Sequence, residues 1–112
     1  HRRAGTLRAA ARDLDAVFAL EIRGRRPVLR TLTVRDGQLT VTRGRSQSAG
    51  ATVLVGAGDI VRLATGDTGW PALLADGRLE LAGDPFLALR FPRLFGLPAE
   101  PGTPVLLRRG NA

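Results

Sequence analysis

Alternation of apolar and polar residues predicts a meander of strands in the first half of the chain. The stretch "DAVFALEIRG" alternates with a period of two, which is typical of a strand with one buried face. "PVLRTLTVRDGQLTVTRG" contains two alternating, β-branched runs separated by Asp36 and Gly37, a pair that favours a type I′ hairpin turn. We therefore predict strands near residues 28–35 and 38–43, in an antiparallel meander with the first strand, and "ATVLV" as a fourth strand.

The period changes after the fourth strand and predicts two helices. Ile60, Leu63 and Ala64 are spaced i, i+3 and i+4, so they form one apolar helix face. Gly66 is suited to the left-handed residue that ends a helix. The stretch "GWPALLADG" repeats this arrangement at smaller scale, with a proline suited to the first turn and a glycine after the last.

Three further signals complete the predicted order of elements. "RLELAG" is short and alternating, which predicts a fifth strand. Asp84 and Pro85 predict the N-cap and first residue of a final helix, and Pro92 is expected to end or kink that helix. Near the start of the chain, Thr6 is a candidate cap for a short helix over residues 7–14.

The length of 112 residues indicates one domain with one hydrophobic core. We assign residues 1–97 to this domain and interpret residues 98–112, which are rich in Pro and Gly, as a C-terminal tail. No apolar run is as long as a membrane-spanning helix requires. The expectation is therefore a soluble, cytoplasmic protein.

The composition leaves few groups that could perform catalysis. The chain contains no Cys, Lys or Tyr, and its only His is His1, so most nucleophiles, Schiff-base amines and general bases are missing. "GAGDIV" resembles the start of a dinucleotide-binding loop, but Val61 occupies the third glycine position. Asp76, Glu80 and Asp84 recur every four residues, which solvent exposure, turn formation and helix capping explain. We therefore expect no enzyme activity, no metal site and no cofactor.

The net charge of +7 is a weak indication of a nucleic-acid partner. All 17 basic residues are Arg, and they are dispersed in small groups along the chain. Solvated surface charge explains most of them, so nucleic-acid binding is a minor hypothesis. Arginines near the rim of a binding site could attract anionic lipid headgroups or a membrane surface at modest strength.

The order of the predicted elements resembles the second half of the sterol carrier protein type 2 (SCP-2-like) family. The matching stretch has a Thr-bearing strand, a helix ending in Gly, a short helix, and a Gly-(basic)-Leu strand that leads into a final apolar helix. The resemblance spans residues 15–97. The residues that carry it are Thr52, Asp59, Leu63, Gly66, Gly77, Arg78, Leu79, Leu81, Gly83, Asp84, Ala88 and Leu89.

This resemblance implies an α+β fold with a five-stranded, mostly antiparallel sheet covered on one face by helices. It also implies a cavity between sheet and helices that holds a lipid, a sterol or a fatty acyl chain. Such a ligand is held mainly by apolar area removed from water, which requires no catalytic side chain. The candidate lining residues are Phe18, Leu20, Ile60, Leu63, Leu73, Leu74, Phe86, Leu89, Phe91 and Phe95.

A second hypothesis is an accessory or protein-interaction domain of a larger protein or complex. In this case the same apolar residues fill the core, no ligand is bound, and an exposed apolar patch binds a second copy or a larger protein. Binding of an apolar ligand distinguishes the two hypotheses.

Overall fold

A six-stranded sheet and three helices form the part of the chain that the computed structural model describes, residues 2–6 and 14–102. In chain order these elements are β1 (Arg2–Thr6), β2 (Ala16–Arg23), β3 (Val28–Arg35), β4 (Gln38–Arg43), β5 (Ala51–Gly56), α1 (Ala57–Ala64), α2 (Trp70–Ala75), β6 (Leu79–Gly83) and α3 (Pro85–Leu94). The strand order across the sheet is β1-β4-β3-β2-β5-β6. Among the described strands, only β2 and β5 are parallel neighbours, so the predicted α+β class with a mostly antiparallel sheet is confirmed.

The hairpin between β3 and β4 has the predicted bounds and turn. Asp36 and Gly37 have φ angles of 52° and 75°, the two positive values that a type I′ turn requires. Arg35 faces Gln38 directly across the turn. This register places Leu32 opposite Val41, so apolar side chains of both strands point to the same face of the sheet.

The connection between β4 and β5 carries the chain past β3 and β2. β5 pairs in parallel with β2, with Ala51 beside Phe18, so residues 44–50 must cross two strands. Thr31 holds this connection: its buried hydroxyl donates to the Gly44 carbonyl at 2.9 Å and accepts from the Ser46 amide at 2.9 Å. The crossing is therefore anchored to the face of the sheet opposite Phe18.

Strand β1 is a sixth strand that the sequence pattern did not predict. It pairs antiparallel with β4, with Arg2 opposite Val41, and the register shifts between Arg3 and Gly5. Thr6 is the last residue of this strand, and residues 7–13 of the helix it was predicted to cap lie outside the described residues, so that helix stays a prediction. "RRAGT" has no apolar alternation, and its strand conformation depends on pairing with the edge of β4.

The hydrophobic core lies between one face of the sheet and the three helices. Alternate residues of the central strands point inward, and Phe18, Val53 and Leu79 are almost completely buried. Helices α1, α2 and α3 pack against β5 and β6 on this side. Gly66 and Gly77 follow α1 and α2 with φ angles of 81° and 73°, as expected for glycines that end helices.

Helix α3 begins as predicted but continues past Pro92. The Asp84 carboxylate accepts from the Phe86 amide at 3.0 Å, which is the expected N-cap. The helix runs to Leu94, so Pro92 does not end it. The Pro92 side chain is fully buried, and the helix ends within one turn of it, so apolar packing offsets the single missing amide donor.

Candidate functional site

A partly open apolar cavity of about 230 Å³ lies between the sheet and the helices. The inward positions of β2, β5 and β6 form its floor, one face of α1 forms a wall, and the end of α3 with the segment after it forms the opposite wall. The lining residues are Leu20, Val53, Val55, Ile60, Leu63, Ala64, Leu79, Phe91, Phe95, Gly96, Leu97 and Pro98.

The wall after α3 depends on a change in chain direction at Gly96. This residue has a φ of 66°, and the Leu97 amide donates to the Pro92 carbonyl at 2.8 Å. The turn brings Leu97 and Pro98 back to the cavity. Since the predicted tail begins at residue 98, the structure places its first residue in the wall, where Pro98 is buried.

Two backbone hydrogen bonds attach residues 98–102 to the loop between α1 and α2 and to the first residue of α2. The Trp70 amide donates to the Pro98 carbonyl at 2.9 Å, and the Gly102 amide donates to the Gly66 carbonyl at 2.9 Å. Between these bonds the chain passes directly over Gly69, where an added Cβ would clash with the Ala99 carbonyl. The close approach therefore requires glycine at position 69.

We expect Gly69→Ala to displace residues 98–102 and to destabilise the fold by about 1–3 kcal/mol, because the clashing atoms belong to the backbone and cannot rotate away. Hydrogen exchange of the Trp70 amide, compared with wild type, measures the loss of its bond to Pro98. Gly58→Ala is the matched control, since an added Cβ there meets nothing within 4 Å. Unchanged protection of Trp70 in the Gly69 variant would contradict the proposed contact.

No charged side chain is among the described lining residues of the cavity, although an ion-pair cluster runs along α1 from its first turn to the loop after it. Asp59 is buried and accepts from Arg62 Nη1 and Arg78 Nη1, both at 3.3 Å. Arg62 Nε also donates to Asp67 at 3.0 Å, and this hydrogen bond raises the pKa of Arg62. These charges link α1 to the start of β6 and stay outside the cavity.

The structure brings five of the ten predicted lining residues together at the cavity. Leu20, Ile60, Leu63, Phe91 and Phe95 all line it. The rings of Phe91 and Phe95 lie 4.6 Å apart between centroids. Both are aromatic residues of the described wall, and such rings offer a large apolar area for contact with an apolar ligand.

Three other predicted residues lie in the core or on α2. Phe18 is 0% exposed and lies behind the wall, with its ring centroid 5.4 Å from that of Phe91 and 6.0 Å from that of Phe95. Leu73 is buried in the core, and Leu74 is half-buried on α2. Phe18 therefore positions the two wall residues without lining the cavity itself.

Phe86 and Leu89 lie away from the cavity, on the outer face of α3. They are 83% and 56% exposed. An i, i+3 spacing places both on one side of the helix, while the inward side carries Ala88 and Phe91. The sequence analysis placed Phe86, Leu89 and Phe91 of this helix in one cavity lining, whereas the helix has apolar residues on both sides.

Seven lining residues were missed by the sequence analysis, and some of them had a visible signal. Val53 and Val55 occupy the inward positions of an alternating strand, and Leu79 occupies that of another. Alternation could have identified these three. Gly96, Leu97 and Pro98 had no comparable signal, because the turn that brings them back depends on tertiary contacts. The seven are Val53, Val55, Ala64, Leu79, Gly96, Leu97 and Pro98.

Among the described residues there is no group of three or more His, Cys, Asp or Glu side chains arranged to hold a metal ion. Glu80, from the acidic series considered in the sequence, forms an exposed ion pair with Arg23. Asp76 caps the end of α2, and Asp84 caps the start of α3. None of the described helices has the length and hydrophobicity needed to cross a lipid bilayer.

Comparisons with known proteins agree with this fold. The sequence profile of the SCP-2 sterol transfer family matches residues 1–96. The ubiquinone synthesis protein UbiJ-SCP2 is 26% identical, with a TM-score of 0.60 over 76% of this chain and 74% of that one. Palmitated sterol carrier protein 2-like 2 from Aedes aegypti, solved by NMR, is also 26% identical, with a TM-score of 0.61 over 78% of each chain.

A larger enzyme contains a similar fold. A variant of the sec-alkyl sulfatase PisA1 is 23% identical, with a TM-score of 0.67 over 81% of this chain but only 14% of that one. This likeness concerns the fold alone. No curated protein is similar enough in sequence to be matched.

Proposed function

Because the chain belongs to the SCP-2 sterol transfer family, we propose that it binds a fatty acyl chain, or a lipid of similar width, in the cavity between sheet and helices. The binding is non-enzymatic and serves to carry or present the lipid. The observation that carries this proposal is the cavity of about 230 Å³ whose described lining residues are all apolar. The palmitated Aedes aegypti protein, a relative of similar fold, supports the choice of an acyl ligand.

The size of the cavity favours a narrow ligand over a bulky one. Pockets for small molecules commonly enclose about 300–1,000 Å³, and this cavity is smaller, at about 230 Å³. A single acyl chain fits such a space more readily than a rigid ring system. The apolar lining also favours a ligand whose polar end remains at the opening, where water solvates it.

The experiment that tests the proposal begins with native mass spectrometry of the purified protein and extraction of any bound lipid. A fluorescent fatty acid is then titrated into lipid-free protein. We expect binding in one-to-one ratio. An empty protein that also fails to bind the added fatty acid would contradict the proposal.

We predict that Ala64→Phe weakens fatty-acid binding at least tenfold without unfolding the protein. Ala64 lines the cavity, so a larger ring occupies space that the ligand needs. Excluding about 60 Å² of apolar ligand surface costs about 1.5 kcal/mol, or roughly a factor of ten. The matched control is Ala72→Phe on the exposed side of α2, which is expected to bind like wild type. Equal binding by both variants would place the ligand elsewhere.

An accessory domain without a ligand is the second candidate function. The presence of a similar fold within 14% of the PisA1 chain favours it, since the fold there is part of a much larger protein. Under this hypothesis lipid-free protein binds no fatty acid, and Ala64→Phe changes nothing but packing. The titration therefore separates the two candidates.

A further inference from the structure

The outer face of α3 combines exposed apolar residues with positive charge. Of the four large hydrophobic residues exposed in the described chain, two are on this helix, Phe86 at 83% and Leu89 at 56%. Arg90 and Arg93 are also exposed. At about 100° per residue, these four side chains fall within an arc of roughly 100° around the helix axis. We define this set, Phe86, Leu89, Arg90 and Arg93, as the α3 outer face.

The charge on this helix has one sign. The sequence of α3 contains no acidic residue, and its two arginines alternate with apolar residues along the exposed arc. The nearest acid in sequence is Asp84, whose carboxylate accepts from the Phe86 amide and is stabilised by the positive end of the helix. The net charge of the whole chain, +7, has the same sign as the face.

We propose that the α3 outer face is a docking surface for an anionic lipid bilayer. Exposed Phe and Leu beside Arg is the composition of helices that lie in a membrane interface, where rings enter the headgroup region and guanidinium groups contact phosphates. Exposed apolar residues alone would be sufficient to bind a protein partner. The two arginines, with no acidic residue on the helix, complement a negatively charged surface. This inference is independent of the bound ligand, because the α3 outer face lies opposite the residues that line the cavity.

The α3 outer face and the cavity lie on opposite sides of the same helix. Phe91, on the inward side of the same helix, lines the cavity, and Phe95 caps the helix C-terminus within the cavity wall. A membrane that contacts the outer side of α3 therefore lies one helix diameter from the lipid site.

Co-sedimentation with lipid vesicles tests the proposal. Vesicles of phosphatidylcholine containing phosphatidylglycerol are compared with vesicles of phosphatidylcholine alone, both free of fatty acid. We expect wild type to bind the anionic vesicles and to release them as salt is raised. The double variants Phe86→Ser/Leu89→Ser and Arg90→Gln/Arg93→Gln are each expected to bind roughly tenfold more weakly or worse.

Matched controls distinguish binding through the α3 outer face from attraction of the whole positively charged protein to the vesicles. Arg25→Gln/Arg26→Gln removes the same charge from the exposed turn between β2 and β3, and Val61→Ser removes an exposed apolar residue from α1. Both are expected to bind nearly as well as wild type. Equal losses from the two arginine pairs, or unchanged binding by Phe86→Ser/Leu89→Ser, would overturn the proposal. Ala64→Phe, which fills the cavity, is expected to bind vesicles as wild type does. A failure of the proposed fatty-acid site can therefore be distinguished from a failure of the proposed membrane surface.

A fluorescence measurement provides a second readout should the double variants unfold. Trp70 is the only tryptophan, so Trp70→Phe gives a silent background. In that background Phe86→Trp is expected to show a blue-shifted emission with anionic vesicles, and Val61→Trp is expected to show none. Absence of the shift at position 86 would overturn the proposal.

A concentration-dependent dimer of the wild-type protein that Phe86→Ser/Leu89→Ser dissociates would also overturn the proposal, since a second copy of the chain would then be the partner of the α3 outer face.

Discussion

Replacing Phe18 with Ala is expected to lower the free energy of unfolding by about 3–5 kcal/mol. The side chain is 0% exposed, and its ring makes edge contacts with Phe91 and Phe95 at interplanar angles of 69° and 85°. Such aromatic pairs add about 0.5–1.5 kcal/mol each beyond the buried area. Since small domains are stable by only about 5–15 kcal/mol, the variant should be partly unfolded on modest warming. Urea unfolding followed by circular dichroism measures the difference.

The same substitution at Phe86 is the matched control for this prediction. Phe86 is 83% exposed, so Phe86→Ala is expected to change the free energy of unfolding by no more than about 0.5 kcal/mol. If Phe18→Ala were as mild as Phe86→Ala, the aromatic cluster would not be the centre of the core. A folded Phe18→Ala variant would also have a larger space behind the cavity wall.

Replacing Gly83 with Ala is expected to destabilise the fold by about 2–5 kcal/mol, the sum of a left-handed backbone penalty and overpacking. Gly83 has a φ of 91°, and an added Cβ would lie 2.5 Å from the Gly50 carbonyl oxygen and 3.0 Å from the Ala51 Cα. Both neighbours are backbone atoms where β5 begins, so neither can move alone. Thermal and urea unfolding of the variant measure the loss.

Gly77→Ala isolates the backbone contribution. Gly77 also has a positive φ, 73°, but an added Cβ there meets nothing within 4 Å. We expect it to lose about 1–2 kcal/mol. Equal losses at the two positions would show that the close approach of Gly83 to β5 does not constrain the fold.

Local chemistry made the hairpin and the helix ends predictable from the sequence. Asp36 and Gly37 define a turn whose geometry needs no distant residue, and the cap at Asp84 is likewise made within one helical turn. Strand β1 depends instead on the edge of β4. The continuation of α3 depends on the burial of Pro92 in the core. Both of these result from contacts between segments far apart in sequence.

The lining of the cavity was predictable only in part, for a related reason. Phe18 and Phe95 are both aromatic residues beside Phe91, yet Phe18 is fully packed in the core and Phe95 lines the cavity. Periodicity identifies which face of an element is buried, but not whether a gap remains beside it. The parallel pairing of β2 with β5 also decides which inward residues share the cavity, and a local pattern carries no information about that pairing.

The central position of β2 has a consequence for the protein while it is being synthesised. Its pairing with β3 can form early, but its second edge stays open until the ribosome has added residues 51–56. During that interval an unpaired edge is available to other nascent chains, and open strand edges are a common origin of aggregation. A substitution at Thr31 removes the hydroxyl that anchors the connection between β4 and β5, and is therefore expected to slow the pairing of β5 with β2. We expect its main effect to be a lower yield of soluble protein, with a smaller effect on the free energy of unfolding of molecules that have already folded.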